Sequence, residues 1–218
     1  MMSSRQVARA GKAIVVGLAI AASTSCAGGA QTRGRSPAYV VIDALLGASG
    51  ATPTKFGATL DSDVVTNVKQ TVNGQQVDVP TIYEDPGEVQ LHLNLKDIGT
   101  AANPASPTSN NEITINRYHV SYARSDGRNT QGVDVPYAFD GAVTGTVTGS
   151  GTVTIGFILV RAQAKQEAPL VGLVGDGGQG AISTIATVTF YGQDQAGNQV
   201  SVQGTISVNF ADWGDPAS

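Results

Sequence analysis

One cysteine, one tryptophan and two histidines are all that the 218 residues offer to several common site chemistries. A lone cysteine, Cys26, leaves no intrachain disulfide to hold a small fold together. His92 and His119 have no second histidine or cysteine at zinc-ligand spacing, so no zinc site is expected. Aromatic residues reach only 6% and charged residues 14%. The Leu, Glu, Lys and Ala runs from which long helices are built are scarce beyond the N-terminus.

Positive charge is also short, once its position is considered. The chain carries a formal charge of −4, but residues 1–25 contain Arg5, Arg9 and Lys12 and no acid. The remainder therefore holds 10 Lys+Arg against 17 Asp+Glu, a charge of −7. An acidic domain has no electrostatic grip on nucleic acid or anionic lipid headgroups, so no nucleic-acid partner is expected. If the protein is held at a membrane, something other than charge holds it.

The N-terminus supplies that something. After the basic residues, Ala13 to Ala22 is an uncharged apolar run of ten. At about 1.5 Å per residue it is too short to span a hydrocarbon layer of about 30 Å as a helix. It has the form of the apolar core of a secretory signal. Ser23-Thr24-Ser25-Cys26 follows. Small residues before a cysteine resemble the lipobox of bacterial lipoproteins, although lipoboxes usually carry an aliphatic residue where Ser23 stands. The resemblance implies that Cys26 is acylated and becomes the mature N-terminus, with two or more acyl chains giving stable anchorage. Ala27 after the cysteine is compatible with outer-membrane sorting in a cell with two membranes. The alternative is cleavage at another small-residue site and release of a soluble protein. Residues 26–37, Gly-rich and without apolar periodicity, read as the lipid attachment site and a flexible tether.

From residue 38 to 212 the pattern is strand, turn, strand. Tyr39–Leu46 is a β-branched apolar run. Asn73-Gly74 sits between two alternating segments, the signal of a type I′ hairpin. Val89, Leu91, Leu93 and Leu95 alternate with Gln90, His92 and Asn94, and Asp85-Pro86-Gly87 reads as a turn before them. Residues 99–111 read as a polar loop. Ile113 and Ile115 lie on one parity and Tyr118, Val120 and Tyr122 on the other, which predicts a bulge near Asn116-Arg117. Val153, Ile155, Phe157 and Leu159 alternate. The final hairpin runs Ala186, Val188, Phe190 out to Asp194–Asn198 and returns through Val200, Val202, Ile206, Val208 and Phe210. Ala162 to Glu167 allows one helical turn. Eight or nine strands in this span predict one antiparallel β-sandwich, with residues 213–218 as a tail.

The segment Phe190–Asn198, with its D-x-A-G-N turn and the alternating Val and Ser after it, resembles the closing hairpin of bacterial immunoglobulin-like and fibronectin-III-like domains. The likeness covers about 25 residues and implies an immunoglobulin-like sandwich. The cysteine pair of antibody domains is missing, and Trp213 lies in the tail.

No catalytic residue is expected. Gly175–Gly180 has G-x-G-x-x-G spacing, but a pyrophosphate site needs a helix N-terminus after the last glycine, and the residues that follow are β-rich. No cofactor is expected. Ser150 lies in a tight Thr148–Gly151 turn without the strand-turn-helix context of a nucleophile elbow. Oxygen-rich turns at Asp61-Ser62-Asp63, Asp126–Asn129 and Asp194–Asn198 could in principle hold calcium, but ordinary turn chemistry accounts for them. The most distinctive stretch is Tyr118–Phe139. It offers Arg124, Asp126, Arg128, Tyr137 and Phe139 as an interaction surface for an envelope protein or a glycan. The competing reading buries Tyr118 and Tyr122 and pairs the two arginines with Asp126 and Asp134. Together these features give the expectation of an exported, lipid-anchored, non-enzymatic binding or scaffolding module at the cell membrane or outer membrane. The alternative is a carbohydrate-binding module or hydrolase on the same sandwich.

Overall fold

The computed structural model describes residues 35–214, so the expected signal segment, Cys26 and most of the tether lie outside the described residues. Twelve strands follow in chain order: β1 (Ala38–Gly47), β2 (Thr59–Asp63), β3 (Thr66–Val72), β4 (Gln75–Thr81), β5 (Asp85–Leu95), β6 (Gly99–Thr100), β7 (Asn103–Pro104), β8 (Ile113–Ala123), β9 (Phe139–Val147), β10 (Val153–Val160), β11 (Ile182–Asp194) and β12 (Gln199–Ala211). One helical turn, α1 (Ala162–Lys165), follows β10.

Eight of these strands form two sheets, in the orders β1-β5-β10 and β2-β12-β11-β8-β9. Neighbours are antiparallel except β2, which runs parallel to β12. Lettered along the chain as A, A′, B, C, C′, E, F and G, the sheets read A-B-E and A′-G-F-C-C′. Immunoglobulin-like sandwiches that carry a C′ strand share the G-F-C-C′ part of this order. The strands β3 with β4, and β6 with β7, are separate hairpins. The protein is thus an all-β sandwich, as its alternating sequence predicts.

Alternation explains the core. In β5, Val89 and Leu91 are fully buried and Leu93 nearly so, while Gln90, His92 and Asn94 stay partly exposed on the other face. In β11, Ala186, Val188 and Phe190 are fully buried, and Ile206, Val208 and Phe210 of β12 join them. Phe190 meets Phe157 edge-on at 5.2 Å between ring centroids, and Phe157 meets Tyr118 at 5.3 Å, so the aromatic centre joins both sheets. Burying each such ring stabilises the fold by roughly 1.5–3 kcal/mol.

The bulge stands where the change of parity puts it. Pairing of β8 with β9 and with β11 skips Asn116, so Ile115 and Tyr118 both face inward. Opposite the bulge, a side chain at Gly192 would come within 2.3 Å of the Thr114 carbonyl oxygen, so only glycine fits this close approach. Asn73 (φ 53°) and Gly74 (φ 79°) both take positive φ between β3 and β4, as a type I′ turn requires. The polar segment 99–111 contains the β6–β7 hairpin and a single 3₁₀ turn at Ser109–Asn111.

The expected turn at Asp85-Pro86-Gly87 is corrected: these residues begin β5, paired with β1 on one side and β10 on the other. Local turn chemistry lost to tertiary contacts. Asp85 is completely buried and bonded inside the domain, and Gly87 is covered by the Phe157 ring, which would lie 2.4 Å from any added Cβ. Pro86 is the second residue of the strand, and its carbonyl accepts the Ala48 N–H at 3.0 Å.

Candidate functional site

The distinctive segment between β8 and β9 folds back on itself. The Asp126 carboxylate accepts from Arg124 Nη2 at 2.7 Å, from Arg128 Nη2 at 2.9 Å and from the Arg128 backbone N–H at 3.1 Å. These bonds hold its carboxyl well below the usual carboxylate range, with the Arg124 bonds contributing most. Asn129 Oδ1 accepts from the Arg124 N–H, and Asp134 Oδ2 accepts from the Thr130 N–H. The Thr130 carbonyl accepts from Asp134 at 2.8 Å. Asp134 therefore closes its own turn instead of pairing with an arginine.

This stapling decides what faces solvent. Arg128 is 64% exposed, Val133 66% and Tyr137 50%, whereas Arg124 is largely covered. The Tyr137 ring lies over Gly132. Phe139 lies inside, with its ring 6.1 Å from Tyr118 and the Arg161 guanidinium 4.4 Å above it. Only 7% of it is exposed, so it adds little to a surface beside Tyr137, and that expectation is corrected: Phe139 opens β9 on the inward parity. Tyr118 and Tyr122 are core residues.

The histidines lie on outer strand faces. His92 Nδ1 is 2.6 Å from Asp43 Oδ1, and its Nε2 faces Asn94 Nδ2 at 3.1 Å. His119 Nδ1 is 3.3 Å from Asp140, which also meets Arg117 at 3.5 Å. Nε2 of His92 thus meets the Asn94 side-chain amide and not a serine or threonine hydroxyl, so the Ser–His pairing of one hydrolase type is not formed there.

The oxygen-rich turns are engaged in their own bonds. Asp194 accepts from the backbone N–H groups of Ala196 and Asn198 and from Asn198 Nδ2, all at 2.9 Å. Burial pushes its carboxyl upward, but these bonds and one from Ser36 outweigh it and leave the carboxyl below its ordinary value. Asp61 accepts from Asn209 Nδ2 at 2.9 Å. Among the described residues, no group of three or more His, Cys, Asp or Glu is placed to hold a metal ion. The Gly175–Gly180 segment leads into β11 and not into a helix, so it lacks the geometry of a dinucleotide loop.

One cluster escaped the sequence reading. Lys165, 1% exposed, donates from Nζ to Asp85 Oδ1 at 2.9 Å, and Asp85 is 0% exposed. Ser62 Oγ donates to Asp85 Oδ2 at 2.6 Å, and the Gly50 N–H to Oδ1 at 2.8 Å. Burial pushes the Asp85 carboxyl up, opposed by the Lys165 charge and these hydrogen bonds. Beside it, Asp63 accepts from Thr66 Oγ1 at 2.7 Å and from the Trp213 N–H at 3.0 Å. Asp63 also lines a cavity of about 220 Å³ with Ser49, Thr52, Asp61 and Trp213. Lys165 sits on a one-turn helix and Asp85 on a strand 80 residues earlier, so no local spacing links them. The available signal was weak: an aspartate directly before Pro-Gly and a lysine inside an Ala-rich turn.

Neither a family model, nor a curated protein, nor a solved structure matches this chain.

Proposed function

We propose that the protein is a lipid-anchored component of the bacterial cell envelope, whose sandwich is a non-catalytic binding or scaffolding module for another envelope component. The observation that carries the binding part is the stapled 124–138 segment. Its internal bonds to Asp126, Asn129 and Asp134 hold Arg128, Val133 and Tyr137 outward on a fixed backbone. A preordered loop that offers an aromatic ring, an apolar side chain and a guanidinium loses little conformational freedom on binding.

Anchorage is supported by the sequence alone: a basic start, a ten-residue apolar run, small residues and Cys26. The acidic remainder, at −7, gives a membrane no electrostatic reason to hold the domain. The described chain enters β1 directly after the Gly-rich stretch, and Pro37 already accepts the Lys96 N–H. A tether followed at once by a closed sandwich suits a module displayed away from a bilayer.

Two variants of the full chain, produced in a bacterium with lipoprotein processing, test this reading. The wild-type protein takes up labelled palmitate and sediments with membranes, and Cys26→Ala does neither. A Cys26→Ala protein that stays membrane-bound removes the anchor. The double variant Arg128→Glu, Tyr137→Ala keeps the fold and loses the envelope component that wild type retains after cross-linking. Equal retention by the double variant removes the 124–138 surface.

A further inference from the structure

We propose that Lys165 and Asp85 are joined by an amide bond that the folded domain makes by itself, cross-linking the start of β5 to the helical turn after β10. The proposal is independent of the binding surface, because it rests on the buried cluster alone.

The geometry supplies each requirement of an amide-forming condensation. The nucleophile and the electrophilic carboxyl are in contact, with Nζ 2.9 Å from Oδ1, and both side chains are shut off from solvent. Permanent contact replaces a bimolecular encounter, the kind of pre-organisation that raises the rates of intramolecular reactions by many orders of magnitude. The two carboxyl oxygens are not equivalent. Oδ2 accepts from the Ser62 hydroxyl at 2.6 Å, whereas Oδ1 faces the amine and the Gly50 N–H. A fixed donor on one oxygen is what a tetrahedral intermediate needs where negative charge develops. Burial also favours the uncharged carboxylic acid over the carboxylate at Asp85.

The step balances without an oxidant or co-reactant. Proton transfer within the pair converts ammonium and carboxylate into amine and carboxylic acid. The Nζ lone pair adds to Cγ, and the carbonyl electrons move onto Oδ2, beside Ser62. Nζ then gives one proton to Oδ1, the Cγ–Oδ1 bond breaks, and Oδ1 leaves as water. The product is an amide whose carbonyl oxygen is Oδ2 and whose nitrogen keeps one proton. Nothing is oxidised or reduced. Exclusion of bulk water slows the reverse hydrolysis.

Digestion of the denatured full chain with trypsin, read by mass spectrometry, decides the question. Asp85 lies in the tryptic peptide 70–96, and cleavage after Lys165 would release peptide 162–165. The expected result is a branched species joining 70–96 to 162–218, lighter by one water than its two parts, with no cleavage after Lys165. Free 70–96 is then missing from wild type and present in the Lys165→Arg protein. Free 70–96 in equal yield from both proteins, with cleavage after Lys165 in wild type, overturns the proposal. Because wild type is read directly, the outcome stands even if the variant folds poorly.

Discussion

The Tyr122 hydroxyl donates to the Leu159 carbonyl oxygen at 2.6 Å, reaching from β8 in one sheet to β10 in the other. Leu159 is skipped in the β10–β5 register, between Ile158 opposite Pro86 and Val160 opposite Asp85, and the Tyr122 hydroxyl serves its carbonyl at this irregularity. Tyr118, on the same strand, accepts the Ile158 N–H at 3.2 Å. Two tyrosines of one strand therefore tie down adjacent residues of the irregular end of β10. That end leads directly into the turn carrying Lys165.

Replacing Tyr122 by Phe keeps the ring against Phe210 but leaves a buried carbonyl without its donor. The expected cost is about 1–3 kcal/mol. Urea denaturation checks it, with the midpoint lowered and the slope unchanged. Burial raises the Tyr122 hydroxyl far above its ordinary pKa, so the bond persists across any pH at which the protein is handled.

Gly87→Ala places a methyl group where the Phe157 ring lies, at 2.4 Å. The ring must move within the aromatic cluster it shares with Tyr118 and Phe190. Overpacking of this kind costs about 1–3 kcal/mol. Thermal unfolding of Gly87→Ala beside Gly74→Ala, whose site is open, separates crowding from turn strain. Unchanged stability of Gly87→Ala would show that the ring has room to shift.

The pH dependence comes from Asp63. Burial raises its carboxyl above the ordinary value of 3.8, against hydrogen bonds from Thr66 and Trp213. A raised folded-state value means that the folded form holds the proton more tightly. Its contribution to stability is fully present below 3.8 and is lost as pH rises through the raised value. Asp63→Asn cannot titrate. The stability of wild type relative to this variant therefore falls as pH rises across that window, and denaturation at a series of pH values measures it. A constant difference across the series contradicts the assignment.

Much of the sandwich was legible because β-structure writes a period of two into the chain. The Leu stripe of β5, the Asn73-Gly74 turn, the final hairpin and the Asn116 bulge all follow from parity and local turn chemistry. The internal pairing of Arg124 and Arg128 with Asp126 was open to the same reasoning, since all three lie within five residues. Phe139 was misplaced because parity cannot be assigned across an irregular loop; only the register of β9 against β8 turned it inward. The same limit hid the strand at Asp85-Pro86-Gly87, where buried bonds and a covering ring overrode the turn preference of the tripeptide.

What the sequence determined by itself was the alternation that makes the protein all-β and the charge asymmetry that separates its first residues from the rest. Tertiary structure decided which polar groups are buried together. Lys165, Asp85 and Ser62 meet because two sheets close over them from three distant segments, and Gly50 completes the set. Burying a lysine and an aspartate is tolerable only when each is the other's partner, and that condition appears only once the sheets have met.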